Sequence, residues 1–413
     1  MGKNFTFYDD GCDEDERKTR RSREIAVLGA TGSIGKSALD VIAKSNGALR
    51  ASVLAVKSSV AKAVELARQF QPKFLVVVDE NADRTPLGAL PRKTKALFGR
   101  DALNEVVRRP EIDVVLNAIV GIAGLDATLE ALDAGKTVAL ANKEALVAGG
   151  ALVMRKLEER GSAALLPVDS EHSAIFQCIL SHCNPDVSPQ ITSDDVERII
   201  LTASGGPFRD WTREQLKGAT VEDALRHPTW NMGAKVTIDS ASMMNKALEI
   251  IEARWLFDIE PDRIQVMIHP QSLIHSMVEF VDGAVLAQIS PPDMRLPIQF
   301  ALYGAFRKQG PAKKFDWTKA ASIELTPPDF ERFPALQLGF EVAKAGGTAG
   351  AALNAANEVA VDAFRRGAIT FDQIPELCRR TLDSHNYEPN PTLGRVYEID
   401  AWARKEIEKW ISR

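Results

Sequence analysis

Glu24-Ile-Ala-Val-Leu-Gly29-Ala-Thr-Gly-Ser-Ile-Gly35 decides the fold of the first half of the chain. The apolar run Ile25–Leu28 reads as a short buried strand, and Lys36-Ser-Ala-Leu-Asp-Val-Ile-Ala43 reads as a helix. Gly29, Gly32 and Gly35 therefore fall in the turn between strand and helix. Glycines there allow a tight turn and let the backbone approach a pyrophosphate lodged at the helix N-terminus. The spacing is a variant of GxGxxG and alone would fit a plain turn equally well. Its position between strand and helix favours nucleotide binding.

Outward from this turn, the second strand Ala51-Ser-Val-Leu-Ala-Val56 ends in Lys57-Ser58-Ser59, where NAD binders usually carry an acid for the ribose 2′-hydroxyl. A lysine and hydroxyls in that place favour the 2′-phosphate of NADP, although an ordinary surface lysine has the same appearance. Apolar strands recur at Phe74–Asp79, Asp113–Val120 and Thr137–Ala141, with helical stretches Ala61–Phe70 and Leu125–Ala134 between them. That alternation predicts an α/β fold with a Rossmann-like, doubly wound parallel sheet, whose ligands lie at the carboxyl ends of the strands. Asn142-Lys143-Glu144 follows directly on such an end, where the three residues either face a ligand or cap the next helix.

A second region of interest is Ala163-Ala-Leu-Leu-Pro-Val-Asp169-Ser-Glu171, followed by a helix expected from about His172. On extended backbone Asp169 and Glu171 would project to one side and Ser170 to the other. Two carboxylates so placed suit Mg²⁺ or Mn²⁺ through oxygen ligands, or they simply cap the helix. Strand Glu197–Ala203 runs into Ser204-Gly-Gly-Pro-Phe208, whose hydroxyl and backbone N–H groups suit an oxyanion. Arg226-His-Pro-Thr-Trp-Asn-Met-Gly233 is too rich in Pro, Gly and Asn for regular structure and suggests either a lid bearing His227, Trp230 and Met232 or a loop that Trp230 anchors to a core. In Asp239–Trp255, taken as helical from about Ser242 with Ser240 just before it, Asn245 and Glu249 share a face with Lys246 beside them. Glu249 fits a third carboxylate ligand, but by spacing alone Lys246 and Glu249 fit an exposed i,i+3 ion pair better. His269 and His275 lack metal-ligand spacing and read as structural.

With 413 residues, 45% of them hydrophobic, the chain can bury sizeable cores in two or three domains. A net charge of −5 and a pI near 5.8 give no support for a nucleic-acid or anionic-membrane surface. Cys12, Cys178, Cys183 and Cys378 form neither a CxxC motif nor a dense framework, which points to a reducing cytoplasm. No apolar run approaches the ~18 residues that a membrane span needs. Residues 1–23 mix acids with Arg17-Lys-Thr-Arg-Arg-Ser-Arg23 and read as a disordered extension. The polar stretch 306–330, with Pro311, Pro327 and Pro328, reads as a linker. Helical patterns at Ala335–Ala345, Ala351–Arg366, Phe371–Ser384 and Ile399–Ile411 predict a C-terminal α-helical bundle, with Asn354 and Asn357 as packing residues.

From residue 24 to about 410 the chain resembles the 1-deoxy-D-xylulose 5-phosphate reductoisomerase family. The matching stretches are Gly29–Gly35, Ala141–Glu144, Pro167–His172, Thr202–Phe208, His227–Gly233, Met243–Glu249, His269–His275 and Asn354–Val361, in one order. Val56-Lys57-Ser58 stands where the family commonly has Gly-Lys-Asn, and Ser290-Pro-Pro where a glycine turn is more usual. The resemblance implies an NADPH-dependent oxidoreductase, a homodimer acting on a small phosphosugar, with Asp169, Glu171 and Glu249 holding Mg²⁺ or Mn²⁺. It further implies Lys143, Ser170 and Glu171 at the substrate's hydroxyl end, with Ser204, His227, Ser240, Asn245 and Lys246 at its phosphate, under a lid bearing Trp230 and Met232. Thr31, Gly32, Ser33, Ile34, Lys57, Ser58, Asn142, Glu144 and Gly233 would line the NADPH site. The reaction so implied is rearrangement, by retro-aldol cleavage and re-aldolisation, followed by hydride reduction to 2-C-methyl-D-erythritol 4-phosphate, an isoprenoid precursor. The expected organisation is 24–165 for the cofactor, 166–305 as an α+β catalytic domain with metal site and lid, 306–330 as linker and 331–413 as the helical domain.

Overall fold

The computed structural model describes residues 21–182, 193–230, 232–319 and 322–411. Residues 1–20 of the expected disordered extension, and Asn231 of the expected lid, lie outside the described residues. Seven parallel strands form the first sheet: β1 (Arg23–Leu28), β2 (Leu49–Val56), β3 (Phe74–Val77), β4 (Lys95–Phe98), β5 (Val114–Asn117), β6 (Thr137–Leu140) and β7 (Ala164–Pro167). Their order is β4-β3-β2-β1-β5-β6-β7, so the strand order reverses on either side of β1. The glycine turn after β1 lies at this switch point, the place where open parallel sheets bind their ligands. Continuous burial of β1 from Ile25 to Leu28 reflects helices on both faces of the sheet.

Lys95–Phe98 and the helix Gly99–Val107 after it are elements the periodicity did not predict. β4 is a half-exposed edge strand of four residues, too short and too mixed to show an apolar run. β7 crosses the expected 165/166 boundary: it pairs with β6 yet delivers the chain to Asp169.

The second sheet is mixed, as an α+β layer should be. It contains β8 (Val196–Ala203), β9 (Ile264–Ile268), β10 (Ile274–Phe280) and β11 (Val285–Ile289), in the order β11-β10-β8-β9. β8 and β9 run parallel, while β10 is antiparallel to both β8 and β11. The described residues of 306–330 are irregular apart from a bridge between Ile268 and Thr326. Helices Ala335–Ala345, Ala349–Arg365, Gln373–Asp383 and Leu393–Ile411 form the C-terminal bundle. The last begins at Leu393 rather than Ile399 because the Thr392 hydroxyl accepts from Arg395 N–H at 3.2 Å and caps an earlier turn. Among the described residues no helix is long and apolar enough to cross a membrane.

Gly29 has φ +80°, and a Cβ there would sit 2.5 Å from the Ala118 carbonyl oxygen. Gly29→Ala is expected to cost at least about 2 kcal/mol in urea unfolding, because left-handed strain and the clash act together. An unchanged unfolding midpoint would contradict this account of the turn.

Candidate active site

Helix Ser170–His182 starts one residue after Asp169, not near His172, so the expected extended geometry of Asp169 and Glu171 does not occur. Ser170 and Glu171 lie in the first helical turn, and the Asp169 carbonyl accepts from Ser173 N–H at 2.8 Å. The Ser170 hydroxyl donates to Glu171 Oε2 at 2.5 Å instead of pointing to the opposite side. Helix-start acids and a carboxylate cluster are therefore the same residues. Asp169, Glu171 and Glu249 each offer one oxygen within 4.8 Å of the others.

The segment Asp239–Trp255 is two helices, not one. Ser240 lies within Ala234–Ala241, Met243 takes φ +60°, and a second helix spans Met244–Phe257. Glu249 on that helix is fully buried, and Lys246 is 3% exposed, which overturns the reading of the two as an exposed surface pair. Lys246 Nζ pairs with Glu249 and reaches Glu171 Oε1 at 2.8 Å. Lys143 Nζ pairs with Asp169 and lies 3.0 Å from both Glu249 Oε1 and Asn245 Oδ1. Lys143 can reach this far because helices Lys143–Glu159 and Met244–Phe257 approach closely. A Cβ on Gly150 would stand 2.4 Å from the Trp255 ring.

Three carboxylates, Glu249 buried and Asp169 and Glu171 partly so, face two ammonium groups, leaving one negative charge in excess. Such a charge is costly unless a cation or a proton joins it. Burial, with Glu171 adding to it, pushes Glu249 up to about 7. Burial acts most strongly to raise Asp169, but Lys143, His172 and Lys246 together outweigh it and hold Asp169 below the ordinary carboxylate range. Burial opposes the charge on Lys143 and Lys246, yet their carboxylate partners keep both above the usual lysine value. An oxygen-only donor set with surplus negative charge fits a hard divalent cation such as Mg²⁺ or Mn²⁺.

Behind the carboxylates, His172 Nε2 donates to the Glu249 carbonyl at 2.9 Å, while its Nδ1 lies 3.2 Å from Glu252 Oε2. Both atoms are buried, and despite this proximity neither makes a hydrogen bond of good geometry. Neither residue stood out in the sequence, since nothing local marks a histidine and a glutamate eighty residues apart as neighbours.

A second polar cluster forms where β8 ends. His227 Nε2 lies 3.0 Å from Ser204 Oγ and 3.1 Å from Ser240 Oγ. His227 Nδ1 accepts from the backbone N–H groups of Thr229 and Trp230, so in the neutral ring Nε2 carries the proton. Burial lowers His227 to about 4. The loop 226–230 has no regular structure, as expected of a lid, and the Trp230 ring meets His275 edge-on at 6.1 Å. Met232 is half-buried beyond it. His269 accepts from Leu273 and Ile274 N–H, and His275 bonds the Ser290 carbonyl, so both are structural as expected.

At the first sheet, helix Ser33–Ala43 begins at Gly32 without any side-chain cap, which leaves its N–H groups open beside Thr31 and Ile34. Lys57 and Ser58 are exposed at the end of the adjacent β2. Asn142 caps its helix through Ala145 N–H at 2.8 Å, and its amide also holds the Gly121 carbonyl at 2.9 Å. Asn117, which the sequence did not single out, binds the Gly124 carbonyl at 2.8 Å from the opposite side. Together the two asparagines shape the 118–124 loop at the carboxyl end of β5.

A glycine turn at the switch point of a parallel sheet, a carboxylate cluster suited to a divalent cation, and a hydroxyl–histidine cluster beside an irregular loop fit a metal-assisted oxidoreductase of phosphorylated substrates. Sequence profiles described as 1-deoxy-D-xylulose 5-phosphate reductoisomerase match residues 25–150, and those of its C-terminal domains match 165–257 and 289–406. A 1-deoxy-D-xylulose 5-phosphate reductoisomerase from Rhodopirellula baltica is 50% identical over 94% of this chain and 95% of its own. One solved structure, the Zymomonas mobilis enzyme in complex with NADPH, shares 43% identity with a TM-score of 0.86, covering 95% of this chain and 99% of that one. Another, of DOX-P reductoisomerase with NADPH, fosmidomycin and magnesium, shares 39% identity with a TM-score of 0.87, covering 94% and 98%. The chain belongs to the 1-deoxy-D-xylulose 5-phosphate reductoisomerase family and is an oxidoreductase.

His227 also predicts a pH effect on stability. The unfolded chain binds a proton at this residue near 6.5 and the folded chain only near 4. The stabilising contribution is therefore complete above 6.5 and is lost as pH falls toward 4. His227→Gln is expected to flatten that part of the profile of unfolding free energy against pH. Equal slopes for variant and wild type would contradict it.

Proposed function

We propose that Asp169, Glu171 and Glu249 hold Mg²⁺ or Mn²⁺ and that 1-deoxy-D-xylulose 5-phosphate is rearranged beside them and reduced by NADPH to 2-C-methyl-D-erythritol 4-phosphate. The observation that carries this reading is the convergence of three carboxylates, one buried and two partly buried, with Lys143 and Lys246 between them. When bound, the cation supplies Lewis acidity and a template for adjacent oxygens, and NADPH supplies the hydride.

The chain's own residues do the rest. Lys143 and Ser170 orient the hydroxyl end beside Glu171. Ser204, Ser240, Asn245, Lys246 and the Nε2–H of His227 bind the phosphate, and binding energy gathered there orients the reacting carbons. Trp230 and Met232 close over the substrate and exclude water. Thr31, Gly32, Ser33, Ile34, Lys57, Ser58, Asn142, Glu144 and Gly233 serve the cofactor. Residues 24–165 form the cofactor domain, 166–305 the catalytic domain, 306–330 the linker and 331–413 the helical domain, with β7 as the shared seam.

A reducing cytoplasm suits Cys178 and Cys378, both buried thiols. A homodimer suits β11, an edge strand on which Val285, Leu286 and Ile289 are 53%, 39% and 43% exposed.

Purified protein with NADPH, Mg²⁺ and the sugar phosphate is expected to consume the cofactor's absorbance, and no substrate-dependent loss would end this reading. Glu249→Gln is expected to lower kcat at least about 100-fold, since even outer-shell changes at metal sites cost 10–100-fold. Full activity in that variant and after chelation would favour a metal-independent dehydrogenase. Leu286→Glu is expected to shift sedimentation from dimer to monomer, and an unchanged species would remove β11 from the interface.

A further inference from the structure

Lys235 is the second residue of helix Ala234–Ala241, which Gly233 caps directly after the lid loop. Its ammonium lies 2.8 Å from Asp239 Oδ2, one turn along the same helix, and 3.3 Å from Glu144 Oε1 on the helix that follows β6. All three side chains are largely or wholly buried. The other Asp239 oxygen accepts from Asn357 Nδ2 at 2.9 Å, on the C-terminal helix Ala349–Arg365. Asn357 is thus more than the packing residue its sequence suggests: it completes a polar chain from the C-terminal helices, through the stem of the lid, into the cofactor half.

The neighbours of this chain give it a purpose. Glu144 stands one residue from Lys143 and two from the Asn142 cap. Asp239 immediately precedes Ser240, whose hydroxyl meets His227. The contact between Lys235 and Glu144 joins the helix bearing Ser240 to the end of the first sheet at the lid's root. We propose that Lys235 is a positioning residue which transmits the placement of the cofactor half to Ser240, so that an occupied cofactor site sets the phosphate pocket. The inference rests on the assignment of Glu144 to the cofactor and Ser240 to the phosphate. A purely packing role for Lys235 would change stability but leave the two sites independent.

The test is calorimetric titration of the full-length enzyme with inorganic phosphate, with and without saturating NADP⁺. Wild type is expected to bind phosphate about tenfold more tightly with NADP⁺, a typical size for coupled sites. Lys235→Met and Glu144→Gln are each expected to bring that ratio close to one, while Lys235→Arg, which keeps the charge, retains it. Glu144→Gln, titrated first with NADP⁺ alone to set a saturating concentration, decides the matter should Lys235→Met fail to fold, because it removes the ion pair between halves and leaves the Lys235–Asp239 pair in place. A wild-type ratio of one, or a wild-type ratio kept in Glu144→Gln, overturns the inference while leaving the phosphate pocket standing. Absence of any phosphate binding to wild type removes the pocket assignment and the inference together.

Discussion

The structure depends on keeping more negative than positive charge in a place shielded from water. Asp169, Glu171 and Glu249 would repel one another apart if Lys143 and Lys246 did not stand among them. Bringing these five groups together needs three helices to meet. Asn142 fixes where Lys143 begins its helix, the close approach at Gly150 brings that helix against Glu249's, and β7 delivers Asp169 to the same point. Each is built into the folded chain, so the charges are placed before any ligand arrives, and the residual charge creates the demand for a cation.

Features set by near neighbours in sequence were legible. The glycine turn, the apolar strands and the helical periods of the C-terminal bundle follow from local sterics and patterning, and β4 escaped only because four half-exposed residues carry little pattern. Asp169 and Glu171 illustrate a sharper limit. They stand at a helix start and also in a carboxylate cluster with Glu249, but on helical rather than extended backbone. Lys246 and Glu249 show the converse: i,i+3 spacing is identical for an exposed pair and a buried one, and only packing from other elements decides which it is. His172 with Glu252, and Lys235 with Glu144, left no local trace, because their significance lies wholly in what the fold places opposite them.

The C-terminal helices also act beyond their own core. Arg404 pairs with Glu358, which lies against Gly121, and the Tyr397 hydroxyl bonds Asp126 at 2.7 Å. The bundle thus braces the 118–124 loop from outside while Asn117 and Asn142 hold it from within. A loop fixed from both sides presents an ordered rim to a cofactor and loses little entropy on binding it.

Met243 separates the helix bearing Ser240 from the helix bearing Asn245, Lys246 and Glu249, and it does so with a single left-handed residue, a conformation that is costly for methionine. One rigid corner therefore fixes the span between the pocket suited to an anion and the cluster suited to a metal. The protein carries a caliper made of main chain, with jaws that side-chain rotation cannot open.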